Sequence, residues 1–167
     1  KPIKPKRVVI LGSGGFISSN LEKILKLKNI NYLAIRRKDV DLLKKSSITK
    51  LKTKIRKQDT VVIIAAKAPC KNLEMLEKNI MIVNNICLSL ENKKLNQLLY
   101  VSSDAVYSDS LKKINENSKT NPDNFHGLMH LFREKILSLI SKNNLCILRP
   151  TLIYGKNDPH NGYGPNS

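Results

Sequence analysis

Residues 7–18 read RVVILGSGGFIS, and the reading of this run decides the fold. A strand-length apolar stretch passes without a break into Gly12-Ser13-Gly14-Gly15, and Phe16 and Ile17 then open a stretch of helical spacing over 16–28. Only glycine lets a backbone turn this tightly and approach a pyrophosphate closely, and the helix behind it offers free N–H donors to an anion. A glycine cluster set directly between a buried strand and a helix reads as a dinucleotide-binding turn rather than a plain connection. Gly12, Gly14, Gly15, Phe16 and Ile17 are therefore candidate cofactor-binding residues. Ser18 stands where the fingerprint puts a third small residue, usually Gly, and is small enough to fit.

Working outward, further apolar runs occur at 31–35 (NYLAI), 60–64 (TVVII), 98–102 (LLYVS) and 145–149 (LCILR). Each has strand length, and their near-continuous apolar character predicts burial on both faces, as in a parallel sheet. The segments between them hold helices. Beyond 16–28, helices are predicted over 47–57 behind a Ser cap, over 73–91 with Leu76, Ile80, Val83 and Leu90 at helical spacing, and over about 125–141. The last carries Leu128, Leu131, Phe132, Ile136, Leu139 and Ile140 as one apolar stripe. Alternating strands and helices give an α/β, Rossmann-like, doubly wound parallel sheet, with strands 1 to 5 present.

In domains of this kind that prefer NAD, an acidic residue at the end of the second strand accepts bonds from the ribose 2′-OH. Here that place holds Arg36, followed by Arg37 and Lys38. A guanidinium cannot accept that bond but forms a charge-assisted fork with a 2′-phosphate, so NADP is favoured over NAD, with Arg36 and Arg37 as its contacts.

Length and composition narrow the rest. The 167 residues, 41% hydrophobic, suffice for one well-cored domain. The net charge of +17 raises polyanions as partners. Yet the lysines are scattered along the chain, as in KILKLKNI and KLKTKIRK, instead of gathered beside aromatic stacking residues, so nucleic acid is not expected. No membrane span and no signal peptide can be read, and the expectation is a cytoplasmic protein. Cys70, Cys87 and Cys146 are odd in number and widely spaced among apolar neighbours, which suits reduced core thiols.

With these residues in view, the chain resembles the extended short-chain dehydrogenase/reductases, the family of nucleotide-sugar epimerases, dehydratases and reductases. GSGGFISSNL looks like the family's cofactor turn, Val40-Asp41-Leu42 like its Asp-Leu pair near the adenine, and DTVVIIAA (59–66) like the strand ending in paired alanines beside the cofactor. Asn79 and Asn85 match two asparagines of the next helix, VSSDAVY (101–107) its fourth-strand motif and LRPTLIYG (148–155) its fifth. The resemblance thus implies cofactor contacts from Asp41, Leu42, Ala65, Ala66, Asn79, Arg149 and Pro150, and a nucleotide-sugar substrate. It also places Ser103 at the catalytic Ser or Thr. Asp104 matches the acid of the dehydratase subgroup, but Ala105 stands where a Glu should follow.

The chain departs from the family at Tyr-x-x-x-Lys. With the register anchored by Gly127 and Glu134, His126 stands for the Tyr and His130 for the Lys. A His needs no neighbouring cation to titrate near neutrality, so His126 could act alone as acid/base, with Ser103 polarising the carbonyl and His130 holding the cofactor ribose. Zinc on the His pair would need a third ligand, and the remaining histidine, His160, lies in the loop after the last strand, so no metal is expected. Two functions stand open: an NAD(P)-dependent oxidoreductase or epimerase of a nucleotide sugar, and a catalytically inactive nucleotide-binding sensor or scaffold. The sequence begins without Met and stops just after the fifth-strand motif, so a fragment is expected. The substrate-binding domain would then be absent, and the full-length protein would be a homodimer.

Overall fold

A computed structural model describes residues 4–108, 113–141, 143–156 and 158. Its elements in chain order are β1 (Val8–Ser13), α1 (Phe16–Leu27), β2 (Tyr32–Arg36), α2 (Ser46–Lys54), β3 (Thr60–Ile63), α3 (Leu73–Leu90), β4 (Gln97–Val101), a short 3-10 turn at Asp104–Val106, α4 (Phe125–Ile140) and β5 (Leu145–Leu148). The five strands form one parallel sheet in the order β2-β1-β3-β4-β5. The order in which strands are added therefore reverses between β1 and β3, and in doubly wound sheets ligands bind beyond the carboxyl ends of the strands at such a switch point.

Period-2 alternation sorts the core. Val9 and Leu11 of β1 and Val61 and Ile63 of β3 point into the larger apolar cluster under α2, α3 and α4. Val8, Ile10 and Val62 point into the smaller one under Leu21 and Leu25 of α1. The expectation of two-sided burial holds for β1 and β3, all of whose apolar residues are buried, and fails for β2 and β5. These two are the edges of the sheet, and Leu148 on β5 is 45% exposed.

Two further expectations are corrected. The helix predicted over 47–57 runs over Ser46–Lys54 and has no side-chain cap, because its first N–H groups bond to Lys44 and Lys45 carbonyls that already lie in a helical turn. It stops early because Ile55 turns extended to bury its side chain in the core. The apolar stripe drawn on α4 is only partly inward: Phe132 and Ile136 pack against the larger cluster, and Leu131 is half-buried. Leu128, Leu139 and Ile140 are exposed, whereas Met129, His130, Arg133, Glu134 and Leu137 are buried. The buried face of this helix mixes polar groups with apolar ones, so a rule that equates apolar with inward misplaces its centre.

Candidate cofactor cavity and histidine site

Glycine shapes the turn after β1. Gly12 has φ +96°, and a Cβ there would lie 2.4 Å from the Ala65 nitrogen, so β1 and the end of β3 approach closely only because the residue is glycine. Gly12 is also the extra residue of a bulge: Leu11 pairs with Ile35, and Ser13 then pairs with Arg36. The bulge thus sets Ser13 against the end of β2. Around Gly14 and Gly15 a Cβ would meet nothing within 4 Å, so these two leave open space in front of α1. Ser18 is fully buried, and its hydroxyl accepts from the N–H groups of Gly14 and Gly15 (both 3.0 Å) while donating to the Gly15 carbonyl. A serine therefore serves where a glycine is usual. The first N–H groups of α1, Phe16 and Ile17 among them, have no carbonyl within the helix to bond.

In front of this turn lies a cavity of about 310 Å³ at the β1/β3 switch point. Eight predicted residues line it together: Gly12, Gly15, Arg36, Arg37, Asp41, Leu42, Ala65 and Ala66. Asn85 holds the 40–43 wall in place by donating to the Leu42 carbonyl at 2.8 Å. Asn79, also predicted as a contact, spends its amide on backbone: Oδ1 accepts from the Lys67 N–H at 2.9 Å, and Nδ2 donates to the carbonyls of Lys67 and Met75. It positions the strand end beside Ala66. Open space beyond the glycines, an anion-ready helix start and two arginines fit the phosphates and adenosine ribose of a dinucleotide.

Arg149 and Pro150 line a different, open hollow of about 940 Å³ together with Asp104 and Tyr107. The Arg149 guanidinium grips Glu134 through two bonds of 2.9 and 2.7 Å and donates to the Tyr107 hydroxyl at 2.6 Å. Glu134 in turn accepts from Ser102 at 2.6 Å. This ion pair ties β5 to α4 and to β4.

α4 starts where Asn124 caps it by accepting from the Gly127 N–H at 2.9 Å. Gly127 is needed there, since a Cβ would fall 1.9 Å from the Ala105 carbonyl oxygen. That contact presses the helix start against the Asp104–Val106 turn and brings Asp104 near His126. Ser103 caps this turn, accepting from the Ala105 N–H at 3.2 Å and donating to Asp104 at 3.1 Å. His126 is half-buried; burial lowers its pKa, and Asp104 acts in the opposite direction. Its Nδ1 accepts from the Cys70 N–H at 3.3 Å, which leaves the proton of the neutral ring on Nε2.

His130 lies one turn further along, edge-on to His126 with ring centroids 4.7 Å apart. Burial, reinforced by His126 and Arg133, pushes its pKa down to about 3, so it is neutral at physiological pH. The Tyr100 phenol, kept protonated by burial that raises its pKa to about 12, shares a 2.7 Å hydrogen bond with His130 Nδ1, its direction set by the ring's tautomer.

Sequence reasoning missed Arg133, Tyr100 and Glu134. Arg133 is fully buried, and its partners among the described residues are neutral: the Ala65 carbonyl at 2.6 Å, Asn79 Oδ1 at 3.3 Å, Met129 sulfur and, under its Cζ at 5.1 Å, the Tyr100 ring. Its Nε has no partner among the described residues. The signal was available in the helical spacing, since 126, 130 and 133 fall on one face. No group of three or more possible metal ligands occurs among the described residues, and His160 lies outside them. No helix among the described residues is long and apolar enough to cross a membrane.

Comparison with known proteins places the chain in context. The family model described as the NAD dependent epimerase/dehydratase family matches residues 8–166. A dTDP-4-dehydrorhamnose reductase from Bacillus anthracis, solved with NADP, superposes with a TM-score of 0.75 at 21% identity over 96% of this chain and 56% of its own. A UDP-N-acetylglucosamine 4-epimerase from Bacillus cereus gives 0.78 at 22% identity over 91% and 55%. A UDP-glucuronic acid 4-epimerase from the same organism, solved with NAD, gives 0.72 at 21% over 89% and 57%. The chain thus spans little more than half the length of these structures. A search of curated proteins found no match.

Proposed function

Because the chain belongs to the NAD-dependent epimerase/dehydratase family, we propose that it is the dinucleotide-binding part of an NAD(P)-dependent oxidoreductase or epimerase acting on a nucleotide sugar. The observation that carries this reading is the cavity at the β1/β3 switch point, lined by the glycine turn, Arg36 and Ala65. NADP is favoured over NAD, since Arg36 and Arg37 can pair with a 2′-phosphate, while the acid that follows β2, Asp39, accepts from the Arg36 N–H at 3.0 Å. Once bound, the nicotinamide would give or take hydride at a sugar carbon.

The residues of α4 supply the rest. His126 can meet a substrate oxygen through Nε2, donating a hydrogen bond when neutral and a proton when the ring is charged. The charged ring carries a proton on each nitrogen and so has released the Cys70 N–H, whose 3.3 Å bond is the longer and weaker of those in the histidine pair. His130, neutral and anchored on Tyr100 through Nδ1, leaves its Nε2 to pair with a ribose hydroxyl. The positive charge that the family pattern puts at position 130 is here supplied by Arg133, buried against Ala65. Ser103 can turn its hydroxyl from Asp104 to a carbonyl oxygen. Met81, Leu88 and Leu128, exposed on α3 and α4, are candidate contacts for a homodimer of the full-length protein.

A second reading, a nucleotide-binding protein without turnover, is favoured by the same Cys70 bond, because it opposes protonation of His126. Hydride transfer from labelled NADPH to a panel of nucleotide ketosugars separates the two. The enzyme reading expects transfer, a limb of the pH–rate profile below the usual imidazole value, and a drop in kcat of about 10²- to 10⁴-fold in His126→Phe with cofactor affinity retained. Cofactor binding without transfer on any sugar would support the second reading, and full activity in His126→Phe would remove His126 as proton carrier.

A further inference from the structure

Besides Asp39, which accepts from the Arg36 N–H at 3.0 Å, a second carboxylate reaches the end of β2 from another direction. Glu22 of α1 reaches back over the glycine turn, where its Oε1 accepts from the Ser13 hydroxyl at 2.6 Å and its Oε2 lies 3.7 Å from the Arg36 guanidinium. The bulge at Gly12 makes this possible, since it pairs Ser13 with Arg36 across the two strands. Ser13 and Arg36 both line the cavity. The Glu22 side chain is only 17% exposed against 48% for Arg36, so the carboxylate sits behind the arginine, partly withdrawn from water, and its charge is less screened than a surface acid's.

We propose that Glu22 sets how strongly the cavity discriminates between a 2′-phosphorylated and a free adenosine ribose. The inference rests on the dinucleotide reading and deepens it. A 2′-phosphate paired with Arg36 must compete with Glu22 for the same guanidinium and lie near a like charge. A free 2′-OH carries no charge and faces neither cost. The preference for NADP is therefore narrower than Arg36 and Arg37 alone would give, and Glu22 is what narrows it.

The test is calorimetric titration of the protein and its variants with NADPH and NADH, with adenosine 2′,5′-bisphosphate and 5′-AMP as probes of the adenosine end alone. Glu22→Gln keeps the acceptor for Ser13 and removes the charge. It should tighten NADPH and the 2′,5′-bisphosphate by about tenfold, the effect of one nearby charge at moderate screening, and leave NADH and 5′-AMP unchanged. Glu22→Asp, which retains the charge, should stay near the parent ratio. In Glu22→Gln with Arg36→Ala the gain should vanish, because it acts through the arginine. Equal changes for both cofactors in Glu22→Gln, as a purely structural role would give, overturn the assignment, and so does an unchanged ratio. Failure of the unsubstituted protein to bind any of the four probes would overturn the dinucleotide reading itself.

Discussion

The two ends of the candidate site are built on opposite plans. At the glycine turn the polypeptide leaves space: Gly14 and Gly15 face an open volume, and the polar groups around it, Arg36 and Arg37, sit at the rim. At α4 the space is filled, with Arg133, His130 and Glu134 buried and bonded to Ala65, Tyr100 and Arg149. The first end is organised by backbone conformation and the second by a polar network. A backbone-built site tolerates surface change and fails at its glycines, whereas a network-built one is sensitive at each member, because every lost partner strands a buried polar group.

Substitutions at the helix start should break the comparison most sharply. Gly127→Ala puts a Cβ 1.9 Å from the Ala105 oxygen and 2.7 Å from the Pro122 Cβ. It should cost about 3 kcal/mol in urea unfolding, the upper end of an overpacking penalty. A loss below about 1 kcal/mol would mean that the helix start is not clamped on the Asp104–Val106 turn.

Acid should weaken the network end next. His130 is held neutral to about pH 3 in the fold, while its unfolded counterpart protonates near 6.5. The unfolded chain therefore binds the extra proton first, and stability falls as pH drops through 6.5 towards 3. The loss attributable to this residue should be about 3 kcal/mol by pH 4, and His130→Gln should remove that share. His126, whose pKa is lowered as well, adds in the same direction. A His130 ring that titrates near 6.5 by NMR would contradict the buried, Tyr100-bonded geometry.

The smallest effect belongs to the rim of the cavity. Arg36→Asp should reverse the cofactor preference, shifting the NADPH to NADH affinity ratio by about tenfold or more with little change in stability. Equal affinity of the parent protein for both cofactors would remove the role given to Arg36.

How much of this could be read from the sequence follows the same division. The glycine turn, the five strands and eight lining residues of the cavity were legible, because strand, turn and helix follow one another locally and glycine has few other uses there. The start of α4, expected at about 125, was legible as well. Its buried face was legible only in part. Of the six residues that periodicity assigns to the inside, Phe132 and Ile136 pack on the core and Leu131 is half-buried, but Leu128, Leu139 and Ile140 are exposed, since buried positions of the helix carry polar groups instead. Arg133 escaped notice because an arginine on a helix reads as solvated unless its spacing from His126 and His130 is counted. Glu22 escaped because its role depends on a bulge that no local pattern announces.

The central claim is that the space in front of the glycine turn holds the phosphates of a nicotinamide dinucleotide, and Gly15→Val addresses it directly. A Cβ at Gly15 meets nothing within 4 Å, so the substitution fills ligand space without disturbing the fold. Calorimetry with NADPH should show binding to the parent protein and at least about a hundredfold loss in Gly15→Val, some 2.8 kcal/mol, at unchanged thermal stability. Unchanged NADPH affinity in a folded Gly15→Val protein would place the phosphates elsewhere and contradict the account.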